Sequence, residues 1–268
     1  MRVFVLLHFI LSFHSLNAFQ NKAGIADLSL DVITQDGIWK LKVVNHSLAP
    51  MDLYLQDSKT KTEVKSYVIP PKDTLISFEL GEGDKQQVID VFNENYDLGY
   101  YLGDPNAIHD STYLYGLPFK KGKKYSVSQG FNGRFSHNKS TSRYAIDFQL
   151  EIGEPVHAAR EGLVIKVEEQ FNEHGGEEYR NKANRIIILH SDGTTASYVH
   201  LDFEGAAVEE GEYVQKGQHI GNSGFTGFTR GPHLHFVVRK GKDVAVPIYF
   251  EGYEGVSLKK RKRYKRTK

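Results

Sequence analysis

"NRIIILHSDGTTASYVHL", Asn184 to Leu201, holds two apolar runs parted by an Asp-Gly turn signal. The first is β-branched and short, and the second alternates apolar with polar residues; both read as strands joined by a turn. The same signals recur outward from it: "RYAIDFQL" (143–150), "GLVIKVEE" (162–169), "GQHIGNSG" (217–224) and "HLHFVVRKG" (233–241). Nearly every run is punctuated by Gly or Asp-Gly, and no long segment carries a 3.6-residue apolar period, so the chain from Tyr125 onward is expected to be mostly β. "EEQFNEHGGEEYRNKAN", Glu168 to Asn184, interrupts these runs with polar and glycine residues and reads as an exposed loop beside a site.

Nearer the N-terminus, "GIWKLKVVN" (37–45), "MDLYLQ" (51–56), "TEVKSYVIPP" (62–71) and "TLISFELG" (74–81) show shorter alternating runs bounded by Asn, Pro, Gly or Asp. They predict a small β-sandwich-like domain over 19–101 without catalytic candidates. Residues 102–124, rich in Gly, Pro, Lys and Tyr, read as a linker. A second β domain then spans 125–250, and residues 251–268 form a basic tail.

The first 18 residues carry Arg2, an apolar run from Val3 to Leu11 and a small residue at Ala18, the pattern of a secretory signal peptide. The run is short against the roughly 20 apolar residues of a membrane span. Export to the periplasm or cell envelope is expected, with full secretion as the alternative. The sequence has no cysteine, which removes thiol proteases and thiolate zinc sites from consideration. Any transition-metal site must therefore use His and carboxylate.

The formal net charge of +1 is unevenly spread, because "KKRKRYKRTK", Lys259 to Lys268, holds eight basic residues and no acid. Such a cluster reads as a solvated, flexible arm able to bind polyanions. After export, anionic envelope polymers or lipid headgroups are the expected partners. Only Tyr264 is interleaved with the cations, so nucleic acid is not expected. Nothing in the sequence sets the oligomeric state.

"GPHLHF", Gly231 to Phe236, places two histidines one residue apart after a glycine-proline turn. In a strand, His233 and His235 project to the same side, an arrangement suited to chemistry or to metal. The candidates in this region are His137, Asp147, His157, His174, His190, His200, His219, His233 and His235. By their context, His157, His174, His190 and His219 read as packing or hydrogen-bonding residues, while His200 ends an alternating run and is placed to face a cleft.

Five stretches in series, "GRFSHNKSTSRYAIDF", "GEPVHAAREGLVIKV", "NRIIILHSDGTTASYVHL", "VQKGQHIGNSGFTG" and "GPHLHFVV", carry a family resemblance. The segment from about Ser126 to Arg239 resembles the M23 zinc peptidases of the lysostaphin or LytM type, which cut peptide bonds in bacterial cell walls. The resemblance implies a β-rich LytM-type domain holding one Zn²⁺ per chain through His137, Asp147 and His235. His200 and His233 would then be catalytic, flanking the attacking water and the scissile bond. Many members separate the first His and the Asp by four residues; here the separation is ten, and "NKSTSR" is read as part of a loop. The implied activity is hydrolysis of peptidoglycan stem peptides or cross-links. The alternatives are a secreted bacteriolytic or glycine-selective protease, and a non-catalytic LytM-type activator of other wall hydrolases. Asn132, in the turn "GFNGR", is a further polar candidate whose role as a turn residue is at least as well supported. Gly221, Gly224 and Gly227 are read as turn residues of the loop preceding "GPHLHF".

Overall fold

In the computed structural model, residues 27–267 are described; the signal-peptide expectation for residues 1–18 lies outside them. The chain divides into two units, 1–105 and 106–268. Most of the described residues that are regular lie in strands. Among them no helix is long and apolar enough to cross a membrane.

The first unit contains two three-stranded antiparallel sheets. Leu28–Gln35, Ile38–Asn45 and Thr74–Gly81 form one, and Glu63–Ile69, Met51–Asp57 and Tyr96–Leu102 form the other. Leu28, Val32, Leu41 and Val43 of the first sheet share a core with Met51, Leu53, Leu55, Ile69 and Tyr100 of the second, which is sandwich packing. The two-residue turn Asp36-Gly37, with both φ angles positive, joins the first hairpin and matches the twist of its strands. One element departs from the all-strand expectation: Lys85–Asn95 is a helix. Asp84 caps it by accepting from the backbone N–H groups of Gln86 and Gln87, and Val88, Ile89 and Phe92 bury one face.

In the second unit, a nine-stranded antiparallel sheet runs in the order Tyr213–Val214, Gly162–Glu168, Arg185–Leu189, Thr195–Val199, Leu234–Lys240, Ile146–Phe148, Lys124–Gln129 and Arg263–Lys265, with Val244–Ala245 pairing beside Leu234–Lys240. A smaller sheet is built from Pro155–His157, His219–Ser223 and Leu201–Ala206. Along Leu234–Lys240 the period of two divides the side chains: Leu234, Phe236 and Val238 enter the main core with Ile146, Phe148 and Tyr198, while His235 takes the opposite face.

Two stretches read as connector and arm are instead parts of this unit. Tyr115, Leu117 and Phe119 are buried in its core, and Leu114–Tyr115 pairs with Tyr249–Phe250. At the other end of the unit, Leu258 and Tyr264 are buried in the same core and Arg263–Lys265 pairs with Lys124–Gln129. Burial of each such side chain contributes about 1.5–3 kcal/mol, enough to order a segment that its charge alone marks as solvated. The basic tail is therefore no free arm over its described residues. The 168–184 insertion does lie largely exposed, but His174–Gly175 adds a short parallel pairing to Gly227–Phe228, and a single 3₁₀ turn follows at Glu177–Tyr179.

Candidate metal and catalytic site

Register assembles the floor of the site. Across neighbouring strands, Gln129 lies opposite Asp147, Asp147 opposite His235, and His235 opposite Val199. Opposed residues in an antiparallel sheet bring their side chains within about 5 Å on one face, so this ladder places a carboxylate beside an imidazole without any loop. His235 Nδ1 is 2.8 Å from Asp147 Oδ1.

His137 arrives by a different route. It lies outside the sheet, in a run of turns from Gly133 to Ala145, and is fully buried. The interval that lengthens its spacing to Asp147 is pinned at several points: Arg239 Nε donates to the Thr141 carbonyl, the Ala245 amide to Ser140, and the Ser142 hydroxyl to the Ser136 carbonyl. So held, His137 Nε2 comes to 3.2 Å from Asp147 Oδ1.

The three donor atoms, from His137, Asp147 and His235, lie within 4.8 Å of one another. His137 Nδ1 is 3.0 Å from the Gly130 carbonyl, which can only accept; the proton therefore sits on Nδ1 and the Nε2 lone pair faces the cluster. That Nε2 is buried and makes no hydrogen bond. A buried nitrogen lone pair aimed at a carboxylate and a second imidazole nitrogen is an arrangement that a cation satisfies, and two nitrogens with one oxygen are donors zinc accepts. The residues fit a metal. Asp147 Oδ2, turned away from this group, accepts from Gln129 Nε2 at 3.1 Å, while Gln129 Oε1 accepts from the Phe135 and Ser136 amides. Gln129 thus joins the Asp147 strand to the loop of His137, a role the sequence reading missed; its place opposite Asp147 becomes visible only once the register is known.

His200 and His233 stand beside this cluster, their ring centroids 4.6 Å apart, and His233 Nε2 is 3.8 Å from Asp147 Oδ1. His200 lies where the chain leaves the large sheet for the small one, with φ at 66°, a conformation costly for a non-glycine residue and found where the surroundings enforce it. The Gly224 amide caps its carbonyl, and its Nδ1 donates to the Thr226 carbonyl at 2.7 Å. A Cβ on Gly224 would lie 2.4 Å from the Asp202 amide nitrogen, so this approach requires glycine. His233 Nδ1 donates to the Gly231 carbonyl at 2.9 Å and lies 3.2 Å from the Thr229 hydroxyl. Both histidines therefore present Nε2 as a proton acceptor.

The electrostatics favour neutral imidazoles around a charged carboxylate. Burial pushes His200 down to about 3, with His233 and His235 adding to the effect, and burial pushes His235 down to about 4 against the pull of Asp147. Burial works against the charge of Asp147, yet the bond from His235 and the nearby imidazoles outweigh it and hold the carboxyl well below its usual range.

The other histidines lie elsewhere. His190 is buried and donates to the Glu161 carbonyl, His157 packs on His219, and His174 stacks on Phe225. Asn132 has φ at 55° and its amide donates to the Arg143 carbonyl, a turn-forming role.

Residues 141–247 match Peptidase family M23, a span that includes Asp147, His200, His233 and His235 and begins four positions after His137. The chain is 28% identical over 179 residues to peptidoglycan DD-endopeptidase ShyA of Vibrio cholerae, covering 63% of this chain and 39% of that protein. It is 35% identical over 132 residues to lysostaphin of Staphylococcus simulans, covering 48% and 23%. The chain thus spans two fifths or less of the length of these relatives. The crystallised catalytic domain of S. simulans lysostaphin aligns with 52% of this chain and 95% of its own, at 29% identity and a TM-score of 0.33. Over residues 141–247, then, this chain carries a segment similar to peptidase family M23.

Proposed function

We propose that the unit 106–268 is a zinc endopeptidase, with one ion per chain, that hydrolyses peptide bonds in peptidoglycan stem peptides or cross-links. The observation that supports this most directly is the convergence of His137, Asp147 and His235 on one point, with two further histidines beside it, inside an M23 segment. The substrate class follows from ShyA, named a peptidoglycan DD-endopeptidase, and from lysostaphin.

When bound, zinc supplies the Lewis acidity that makes water acidic near neutral pH and polarises a carbonyl. The chain's own residues do the rest. Asp147 stays ionised, and Gln129 fixes its plane by holding Oδ2. His200 and His233 keep their protons on Nδ1 through backbone carbonyls, leaving Nε2 free to accept the proton of the attacking water and return it to the leaving amine. The one imidazole that has taken this proton can also donate a hydrogen bond from Nε2 to the oxyanion that develops on the scissile carbonyl. Such a substrate lies outside the cytoplasm, so this reading places the protein in the periplasm or cell envelope.

The test is mass spectrometry of fragments released from purified peptidoglycan, with and without a zinc chelator. Chelator-sensitive release of cut peptides is expected, and the masses name the bond. Metal-loaded protein that binds peptidoglycan and releases nothing would replace this reading with that of a non-catalytic partner of other hydrolases.

A further inference from the structure

Two lysine-rich stretches far apart in sequence, "KKGKK" (120–124) and "KKRKRYKR" (259–266), meet at one edge of the nine-stranded sheet. Arg263 pairs with Ser126, Tyr264 with Tyr125 and Lys265 with Lys124. Backbone bonds extend the pairing to both sides, from Gly122 to Arg266, Arg266 to Lys123, Val127 to Lys262 and Arg261 to Val127. Lys120, Lys121, Lys123 and Lys124 are exposed on the turn, and Lys259, Lys260, Arg261, Lys262, Arg263 and Lys265 on the partner segment. None of these ten is in an ion pair with a carboxylate among the described residues.

Like charges directly opposite one another, as in Lys265 and Lys124, destabilise a strand pair. A charge or two suffices to protect an edge strand from unwanted pairing, so ten cations exceed that need. Burial of Tyr264 and Leu258 and the Arg266 bond to the Phe119 carbonyl hold the repelling groups in place. We infer that this edge is a preformed binding surface for a linear, phosphate-bearing polyanion.

Line-like geometry favours a polymer over a bilayer. The cations follow one edge strand and its two flanking turns, a row on the order of 20 Å long at strand spacing. The aromatic residues that would anchor a bilayer surface turn away from solvent: Tyr264 is buried against Tyr253, and the Tyr125 hydroxyl bonds Glu154. Only Val256 in this segment is a large apolar residue in the open.

The test is binding of fluorescent poly(glycerol phosphate) to the full chain between about 50 and 200 mM salt, where phosphate contacts make log K fall linearly with log salt. Saturable, salt-sensitive binding is expected. K120Q/K121Q/K123Q and K259Q/K260Q/K262Q should each weaken it at least about tenfold and flatten the salt slope by roughly two to three. The matching Lys→Arg sets should bind as wild type. Unchanged binding in the turn triple would overturn the composite surface, as would absence of binding at the lowest salt. Preference for phosphatidylglycerol vesicles or duplex DNA over the polymer, at equal phosphate, would overturn the assignment in favour of a membrane or a nucleic acid.

Discussion

His235 and His137 approach the same carboxylate, one by strand register and the other by a pinned loop. His235 needs only that two antiparallel strands align Asp147 opposite it, an interaction built into the sheet ladder. His137 needs a run of turns to close back on the sheet, and that closure rests on bonds from Arg239, Ala245 and Ser142. A ligand on a strand is placed with the core; a ligand on a loop is only as well placed as the contacts that hold the loop.

The largest effect expected is loss of metal in Asp147→Ala, His235→Ala and His137→Ala, each with a dissociation constant raised by more than about a hundredfold, beyond the effect of altering an outer partner. Metal content after dialysis measures it. Retention of metal by His137→Ala alone would break the comparison, leaving the loop histidine without a ligand role. Next, His200→Ala and His233→Ala should keep the metal while turnover falls by roughly 10²–10⁴. Metal loss in both would instead make them ligands.

Gln129→Leu joins the two routes, since it frees Asp147 Oδ2 and two amides of the His137 loop. Metal affinity should drop about 10–100-fold by titration. Arg239→Met leaves Asp147 and Gln129 in place and removes the bonds to Thr141 and the Ser197 hydroxyl together with the ion pair to Asp243, at a cost of about 1–3 kcal/mol in denaturant unfolding. Its metal affinity should weaken less than that of Gln129→Leu, and a reversed order would show that the loop, rather than the carboxylate, limits the site.

A further prediction concerns acid. His190 and His200 are held neutral in the fold, at about 4 and about 3, against 6.5 for a free histidine. Because the unfolded chain takes up these protons first, metal-free protein should be most stable above pH 6.5 and lose stability progressively down to about pH 4 and pH 3. Calorimetry across that range checks it; a flat profile from pH 7 to 4 would contradict neutral burial of both groups.

Most of the strands of the second unit were legible because Gly and Asp-Gly punctuate runs whose alternation decides which face is buried. The Lys85–Asn95 helix was missed although Asp84, Val88, Ile89 and Phe92 carry its cap and apolar face, since it is short and flanked by strand-like runs. Residues 113–119 and 258–264 were misread for a different reason. They sit inside longer stretches, 102–124 and 251–268, in which Gly, Lys and Arg drew the reading, whereas Tyr115, Leu117, Phe119, Leu258 and Tyr264 decide the packing.

By itself the sequence determined the β character of both units and the chemical types gathered at the site, because strand period and residue chemistry are local properties. Without cysteine, it also confined any metal to nitrogen and oxygen donors. Tertiary structure alone decided that Gln129 meets Asp147, that His137 returns across its long loop, and that Lys124–Ser126 pairs with Arg263–Lys265. Each of these depends on which strands become neighbours, and that choice belongs to the packing of the whole core rather than to any one stretch of the chain.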